Sequence, residues 1–296
     1  MRVAILSQDG SFYSTRRLME AGLERGHEVQ VLDFLRCAVM LHARSPQLWH
    51  KGQRCPRFDA AIPRIGPGKA IYGTAVARQL EIMGVPILNS AAAIACARDK
   101  LHCYQQLAGQ GLPIPATGFT YACKDVETVL SGMNSKSVVM KLLKGSHGIG
   151  VVLAETLPTA RALFEAFRGV EADVLVQECI DEARGVDLRC FVIGDRVAAA
   201  IQRKGPPGEF RANLHRGATA HPVVLTAQEE KIAVAAAQAI GLQVAGVDLL
   251  RTQRGALVIE VNASPGLEGI EKATQIDLAD RTIAFLENWV VDRIVT

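Results

Sequence analysis

The chain has 296 residues, of which 49% are hydrophobic and 21% are charged, and its formal net charge at pH 7 is +3. This length allows two or three domains with a sizeable core, and the composition is that of an ordinary globular protein. The mild positive charge suits anionic small molecules such as nucleotides but argues against direct nucleic-acid binding. No stretch approaches the roughly 20 apolar residues of a membrane span, and the first apolar run is too short for a signal peptide.

The cysteines do not form a recognisable framework. There are seven of them, scattered along the chain without a C-x-x-C pair, a spacing that indicates neither a zinc ribbon nor a set of disulfides. Several lie in apolar runs, such as Cys190 within residues 188–192. We therefore expect buried, reduced thiols and a cytoplasmic location.

The first hundred residues alternate predicted strands and helices. Strand patterns cover residues 3–6, 28–32 and 59–63, a further buried apolar run covers residues 85–88, and helical patterns cover residues 14–25 and 70–83. This βαβ alternation predicts a parallel sheet covered by helices. The turn after the first strand reads Ser7-Gln8-Asp9-Gly10 rather than G-x-G-x-x-G, which argues against a dinucleotide site there.

Residues 111–115 contain two prolines and are interpreted as a linker. Beyond it, strand patterns cover residues 117–121, 137–143, 151–154 and 174–178, and helical patterns cover residues 157–168, 226–240 and 277–290. Thr226 is a plausible N-cap of the second of these helices. Two hairpins are predicted, one over residues 188–193 and 196–202 around Gly194-Asp195 and one over residues 244–251 and 256–262.

The last predicted hairpin carries the clearest functional signal. Its turn near residues 253–255 places Asp248 opposite Glu260, and strand alternation places Asn262 on the same face. The opposite, core face would carry Val247, Leu249, Leu257, Ile259 and Val261. Carboxylate and amide oxygens suit Mg²⁺. A solvated strand face is the alternative, but Leu250 and Val258 would share the acidic face, and partly desolvated carboxylates need a counter-charge.

Lys141 lies in an otherwise apolar strand pattern, where a lysine needs an anionic partner or a route to water. A nucleotide phosphate would be such a partner, and snorkelling from an edge strand is the alternative. The segment 144–150 follows directly and contains three glycines, including Gly145. Its backbone N–H groups would be able to fold over phosphates, although no Gly-Lys-Ser/Thr closes a Walker A loop.

Two further places are compatible with a nucleotide site. Glu178 ends a buried strand pattern, where backbone groups would bind adenine and a carboxylate would bind ribose. The same pattern is equally compatible with a strand end at which Glu178 is simply exposed. Side chains around the loop 205–218 would stabilise charge that develops in phosphoryl transfer, or would belong to a solvated basic loop. They are Arg203, Arg211, Asn213 and Arg216. The segment 262–269 leads away from the metal candidates and is expected to line the acceptor site.

The order of these motifs resembles the ATP-grasp superfamily, and particular segments resemble its RimK-type ligases. The segments are Arg98-Asp99-Lys100-Leu101, residues 148–155, Asn213-Leu214-His215-Arg216-Gly217 and residues 260–271, EVNASPGLEGIE. Residues 4–7 and 62–66 are similar too, so the resemblance covers nearly the whole chain. RimK-type ligases add L-glutamate to the C-terminus of the sixth protein of the small ribosomal subunit.

The resemblance implies a fold of mixed α/β and α+β class. A pre-ATP-grasp domain with a parallel sheet would cover residues 1–97, and a two-lobed ATP-grasp domain would follow. Its first lobe, with the glycine-rich phosphate loop, would cover residues 98–178, and its C-terminal lobe, with the metal site, residues 179–296. The resemblance also implies a homotetramer.

The resemblance implies ATP and two Mg²⁺ or Mn²⁺ ions as cofactors. Residues implied to contact ATP are Lys100, Lys141, Gly145, Glu178, Cys179, Asp187, Arg211, Ala212 and Asn213, with Glu178 and Cys179 at the adenine edge and Asp187 near the ribose. The metal ligands would be Asp248, Glu260 and Asn262, with Glu260 bridging, and Arg203, Arg211 and Asn213 would assist catalysis. The sequence departs from the family pattern at Ser146-His147 and at Gly205-Pro206-Pro207.

The implied reaction has two steps and needs no protein nucleophile. The acceptor carboxylate attacks the γ-phosphate of ATP to give an acyl phosphate and ADP, and the amino group of L-glutamate then displaces phosphate. One alternative is a ligase that acts on a small-molecule carboxylate or on free glutamate to make poly-glutamate. Another is a non-catalytic nucleotide-binding regulator, against which the complete set Asp248, Glu260 and Asn262 argues.

Overall fold

The computed structural model describes residues 1–133, 135–143 and 150–295. The glycine-rich segment 144–149, with the ATP candidate Gly145, lies outside the described residues. The helices are α1 (Tyr13–Glu24), α2 (Ala70–Ile82), α3 (Ala91–Arg98), α4 (Lys100–Gly109), α5 (Val126–Ser131), α6 (Leu157–Gly169), α7 (Ala227–Ala239), α8 (Glu268–Thr274) and α9 (Leu278–Val295). Within this described part, no helix is long and apolar enough to cross a membrane.

The strands of the described residues form four sheets. They are β1 (Arg2–Leu6), β2 (Glu28–Leu32), β3 (Cys37–Met40), β4 (Gln47–His50), β5 (Gln53–Arg54), β6 (Ala60–Pro63), β7 (Thr117–Phe119), β8 (Val138–Leu142), β9 (Val151–Ala154), β10 (Val174–Glu178), β11 (Val186–Ile193), β12 (Arg196–Lys204), β13 (Thr219–Pro222), β14 (Val244–Thr252) and β15 (Gly255–Asn262). The sheet orders are β2-β1-β6, β3-β4-β5, β7-β10-β8-β9 and β13-β12-β11-β14-β15.

The first sheet is parallel, as the alternation of strands and helices predicts. Val3 and Ile5 of β1 pack into one hydrophobic cluster and Ala4 and Leu6 into another, so both faces are covered. The apolar run at residues 85–88 forms only a single bridge to β6. Because β1 and β6 run in the same direction, the residues that follow them lie at one edge of the sheet.

The small sheet of β3, β4 and β5 was not predicted. Its strands have two to four residues each, too few to produce a recognisable period. It packs on α2, where the side-chain amide of Gln79 donates to the carbonyls of Met40 and Gln47 at 3.3 and 3.0 Å. A buried contact made from a distant helix therefore stabilises strands that are too short to be recognised from their own residues.

Local signals in the C-terminal half are confirmed. Ile193 pairs with Arg196 across the predicted turn. Thr226 caps α7 in a capping box, in which its hydroxyl accepts from the N–H of Glu229 and the Glu229 carboxylate accepts from the N–H of Thr226 at 2.8 Å. These features depend on neighbouring residues alone, which explains why they are visible in the sequence.

The last hairpin is less regular than predicted. Asp248 does pair with Glu260, but the register shifts by one residue immediately beyond Asp248, so that Leu249 pairs with Val258. Ile259 is the extra residue of a β-bulge. A bulge interrupts the alternation of faces, so residues on its two sides no longer follow one period.

This bulge overturns part of the predicted face assignment. Val258 is fully buried in the core with Leu249 and does not lie on the acidic face. Ile259, predicted to lie in the core, borders a large cleft instead. Leu257 pairs with Leu250, which borders the same cleft, so Leu257 also lies away from the predicted core face.

Candidate functional site

A cleft of about 1700 Å³ opens between the parallel sheet and the two antiparallel sheets of the C-terminal part. Single small-molecule pockets measure roughly 300–1,000 Å³, so this cleft has room for a nucleotide together with a second substrate. Arg216 does not line this cleft, but the cleft brings together all the other predicted site residues that the structure describes. These are Lys100, Lys141, Glu178, Cys179, Asp187, Arg203, Arg211, Ala212, Asn213, Asp248, Glu260 and Asn262.

Lys141 rests on an aromatic ring. Its ammonium donates to the Tyr104 hydroxyl at 3.2 Å and lies 5.5 Å from the centroid of that ring, while the hydroxyl donates to the Ile259 carbonyl at 2.5 Å. β8 lies between β10 and β9, so Lys141 does not extend from an edge strand. Among the residues that the structure describes, no carboxylate forms an ion pair with Lys141.

Lys100, at the start of α4, lies on the same side of the cleft. Its ammonium donates to the Leu143 carbonyl at 3.3 Å. Burial lowers the pKa of Lys100, the nearby Glu260 carboxylate opposes that shift, and Lys141 adds to it. Two ammonium groups and one carboxylate therefore interact electrostatically at this place, which suits an anionic ligand that carries a cation with it.

The end of β10 is buried and engaged by protein groups. The Glu178 carboxylate accepts from the Ala116 N–H at 2.9 Å and from the Arg254 guanidinium at 2.7 Å. The Cys179 thiol donates to the Asp181 carboxylate at 3.5 Å, and burial raises its pKa. A thiol with a raised pKa is a poor nucleophile at neutral pH.

A row of alternating charges crosses the five-stranded sheet. Asp187 pairs with Arg203 across β11 and β12, and Arg189 pairs with Asp248 across β11 and β14. The Arg203 guanidinium donates to both oxygens of Asp187, at 2.6 and 2.7 Å, and to Asp248 at 2.9 Å. Arg189 donates to both oxygens of Asp248. Arg189 was not identified from the sequence, although it lies two residues after Asp187 on the same strand face.

The charges of this row stabilise one another. Burial raises the pKa of the Asp187 carboxyl despite its contact with Arg203. Burial acts on Asp248 in the same direction, but the guanidinium groups of Arg189 and Arg203 outweigh it and hold the pKa of Asp248 below its ordinary value. Both oxygens of Asp248 are occupied by guanidinium groups, so a metal ion at Asp248 requires one of these contacts to open.

Glu260 and Asn262 fit a divalent cation better in the geometry observed. The Glu260 carboxylate is exposed to the cleft and makes no hydrogen bond or ion pair within the described ranges. The Nδ2 atom of Asn262 is buried without a hydrogen-bond partner among the described residues; as a donor it would bind an oxygen of a bound substrate, and the Oδ1 atom is the possible metal ligand. No group of three His, Cys, Asp or Glu side chains arranged for a metal ion occurs in residues 1–133, 135–143 and 150–295. A cation here would thus depend on oxygens of a bound substrate as well, as Mg²⁺ usually does.

We expect Arg203→Met to lower the free energy of unfolding by about 3–5 kcal/mol, because it leaves Asp187 buried without its counter-charge. Chemical denaturation measures the change. Arg161→Met is the matched control, since it removes an exposed ion pair with Glu127 that contributes less than about 1 kcal/mol. Equal stability losses in the two variants would contradict the view that Arg203 compensates buried charge.

The loop that follows β12 is ordered by an ion pair. The Arg211 guanidinium donates to both carboxylate oxygens of Glu209 at 2.8 Å and to the Val151 carbonyl at 3.2 Å. The hydrogen bonds from Arg211 hold the pKa of Glu209 at about 2. A Cβ at Gly205 would lie 2.5 Å from the Arg211 carbonyl, so this approach requires glycine. The alternative of a purely solvated basic loop does not describe this geometry.

Residues 97–286 match the RimK-like ATP-grasp domain, and residues 1–94 match the RimK PreATP-grasp domain. The chain belongs to the RimK-like ATP-grasp family. It is accordingly an ATP-dependent carboxylate–amine ligase that forms ADP and phosphate, and the fold class inferred from the resemblance is confirmed.

Relatives of this RimK-like ligase align over almost their whole length. The "Probable alpha-L-glutamate ligase" of Trichodesmium erythraeum (strain IMS101) is 54% identical over 287 residues, which cover 97% of this chain and 96% of that protein. The protein of the same description from Picosynechococcus sp. (strain ATCC 27264 / PCC 7002 / PR-6) is 53% identical over 97% of this chain and 95% of its own length.

The fold is shared with a solved ATP-grasp ligase. The structure of PsnB complexed with minimal precursor, Mg, and ADP superposes with a TM-score of 0.74 at 22% sequence identity, covering 97% of this chain and 96% of that chain. At this identity the likeness establishes the architecture of the RimK-like ligase and no substrate.

Proposed function

We propose that this RimK-like ligase adds L-glutamate to the C-terminal carboxylate of the sixth protein of the small ribosomal subunit. The observation that carries the proposal is the cleft itself, in which the Lys100 ammonium lies near enough to both Lys141 and the Glu260 carboxylate to feel their charges. The names of the relatives support glutamate as the added residue. The volume of the cleft leaves space for a peptide terminus beside a nucleotide.

In this proposal the chain binds ATP along the length of the cleft. Lys100 and Lys141 neutralise phosphate oxygens, and the end of β10 at Glu178 and Cys179 meets the adenine through backbone groups, because one Glu178 oxygen already accepts from Ala116 and Arg254. Asp187 lies towards the ribose. The remaining nucleotide contacts are assigned to Gly145, Arg211, Ala212 and Asn213.

Glu260, Asn262 and Asp248 would hold two Mg²⁺ or Mn²⁺ ions, with Glu260 as the ligand common to both. When bound, these ions supply positive charge to the phosphate oxygens. Arg203 keeps Asp187 and Asp248 ionised and oriented, and Arg211 presents a fixed guanidinium held by Glu209. The resemblance to the family assigns a catalytic role to Arg203, Arg211 and Asn213. In this proposal they stabilise the negative charge that develops during phosphoryl transfer.

The chemistry requires positioning more than covalent catalysis. An oxygen of the acceptor carboxylate forms a bond to the γ-phosphorus while the bond to ADP breaks. The glutamate nitrogen then attacks the acyl carbon, phosphate leaves, and the nitrogen loses its proton to solvent. Because the thiol of Cys179 has a raised pKa, it is unsuited to form an acyl-enzyme instead.

Acceptor labelled with ¹⁸O in its carboxylate is expected to transfer one labelled oxygen to the released phosphate, because that oxygen bridges carbon and phosphorus in the acyl phosphate. Mass spectrometry of the phosphate measures the transfer. Cys179→Ala is expected to retain activity, since its proposed contribution comes from the backbone. Unlabelled phosphate, or formation of AMP, would exclude the mechanism.

The acceptor is tested by incubating the protein with ATP, Mg²⁺ and L-glutamate and either a peptide ending in the C-terminal sequence of the ribosomal protein or no acceptor. Mass increments on the peptide support the proposal, and chains of free glutamate would support poly-glutamate synthesis. The proposed homotetramer is tested by light scattering of the same preparation.

A further inference from the structure

Six arginines of the described ranges line the cleft, and two of them differ from the others. The six are Arg64, Arg98, Arg184, Arg189, Arg203 and Arg211. The last four form ion pairs with carboxylates of the protein. Within the part of the chain that the structure describes, Arg64 and Arg98 form none.

Both unpaired guanidinium groups are oriented by backbone carbonyls. Arg64 follows β6 and donates to the Pro265 carbonyl at 2.7 Å. Arg98 ends α3 and donates to the Ile65 carbonyl at 2.5 Å, and its Nε atom is buried without a partner among the described residues. A guanidinium has five N–H donors, so these single contacts leave most of the donors of each group available.

The environment disfavours two cations here without an anion. Burial lowers the pKa of Arg64 to about 10, and the neighbouring charge of Arg98 acts in the same direction. Burial also lowers the pKa of Arg98, against the attraction of Glu260. Arginine guanidinium groups nevertheless stay protonated at neutral pH. Half-buried cations that repel one another and have no carboxylate partner among the described residues are costly, which is the electrostatic pattern expected of a site that receives an anion.

The position of the pair indicates which anion it receives. Pro265, which fixes Arg64, lies three residues after the metal candidate Asn262, and Arg98 lies close enough to Glu260 to feel its charge. Lys100 and Lys141 already serve the proposed phosphates. Arginine presents a planar pair of donors that matches the two oxygens of a carboxylate. The reaction brings carboxylates to this place from both the incoming amino acid and the acceptor.

We propose that Arg64 and Arg98 form a subsite for a carboxylate of an acidic amino-acid residue, either the incoming L-glutamate or the C-terminal residue of the acceptor. The assignment rests on the proposed glutamate ligation. It extends the site to the edge of the parallel sheet, so that the first domain takes part directly in substrate binding.

Arg64→Gln and Arg98→Gln test the subsite, because glutamine retains a donor for the backbone carbonyl and removes the charge. Each variant is expected to raise KM for one substrate by about 10- to 100-fold, because a charge-assisted hydrogen bond to that substrate is lost. The change in kcat should be smaller. Arg64→Lys should recover part of the loss. Affinity for a non-hydrolysable ATP analogue, measured by calorimetry, should be unchanged.

The substrate whose KM rises identifies the source of the carboxylate. A rise confined to L-glutamate assigns the subsite to the incoming amino acid, and a rise confined to the acceptor peptide assigns it to the acceptor. Arg281→Gln is the matched control, because Arg281 also donates to a carbonyl, that of Ala198 at 3.0 Å, but lies outside the cleft. Unchanged KM values for both substrates, or a loss of ATP affinity, overturn the subsite.

Thermal unfolding separates this inference from the proposed function. Without ligand, both glutamine variants should unfold at the wild-type temperature or higher, whereas a merely structural role predicts a decrease. A wild-type protein that fails to ligate glutamate overturns the proposed function. In that case the subsite is tested by adding glutarate, which should raise the unfolding temperature of the wild type and not that of the variants. Equal rises in the wild type and the variants would overturn the subsite.

Discussion

Replacing Glu260 with alanine is expected to lower kcat for ligation by about 10³-fold while the fold stays intact. The Glu260 carboxylate is exposed to the cleft and makes no hydrogen bond or ion pair among the described residues, so its removal costs no hydrogen bond or ion pair there. Surface substitutions of this kind change the free energy of unfolding by less than about 0.5 kcal/mol. The large effect on rate follows because the proposed ions would lose the ligand that they share.

Turnover at varied Mg²⁺ concentration, together with Mn²⁺ binding followed by electron paramagnetic resonance in the presence of an ATP analogue, measures this effect. Glu28→Ala serves as the matched control, because Glu28 is also an exposed strand carboxylate but pairs with Arg2 far from the cleft. Wild-type turnover and Mn²⁺ binding in a folded Glu260→Ala protein would remove Glu260 from the metal site.

Lys141→Met is expected to weaken ATP binding by about 2–4 kcal/mol, or roughly 30- to 900-fold, because the phosphate loses a desolvated positive charge. Methionine has a similar length, and its thioether is able to pack against the Tyr104 ring on which the ammonium now lies. The stability of the empty protein should hold or rise, since no carboxylate of the described residues pairs with Lys141.

Calorimetric titration with ATP measures the affinity, and denaturation of the empty protein measures the stability. Lys136→Met is the matched control, because Lys136 is an exposed lysine just before the same strand and lies outside the cleft. If both variants bind ATP as the wild type does, the ammonium of Lys141 contributes nothing to phosphate binding.

Local patterns in the sequence were sufficient for much of the fold. The apolar run of β1 predicts a strand covered on both faces, and the observed sheet places Val3 and Ala4 in opposite clusters. The pairing of Asp248 with Glu260 followed from counting outward from a turn. Such features are readable because alternation and turn geometry connect residues that are near one another in the chain.

The sequence by itself determined the family, the parallel first sheet, the two C-terminal hairpins and many of the residues that gather in the cleft. The tertiary structure decided how those residues are paired. Arg189 binds Asp248, which lies 59 positions away in the chain. The bulge at Ile259 places Val258 in the core and Ile259 at the cleft, the reverse of the predicted faces. Likewise, only packing shows that Arg64 and Arg98 lack carboxylate partners in the described residues. Ion pairing and burial depend on which distant groups approach in three dimensions, and no local period of the sequence encodes that approach.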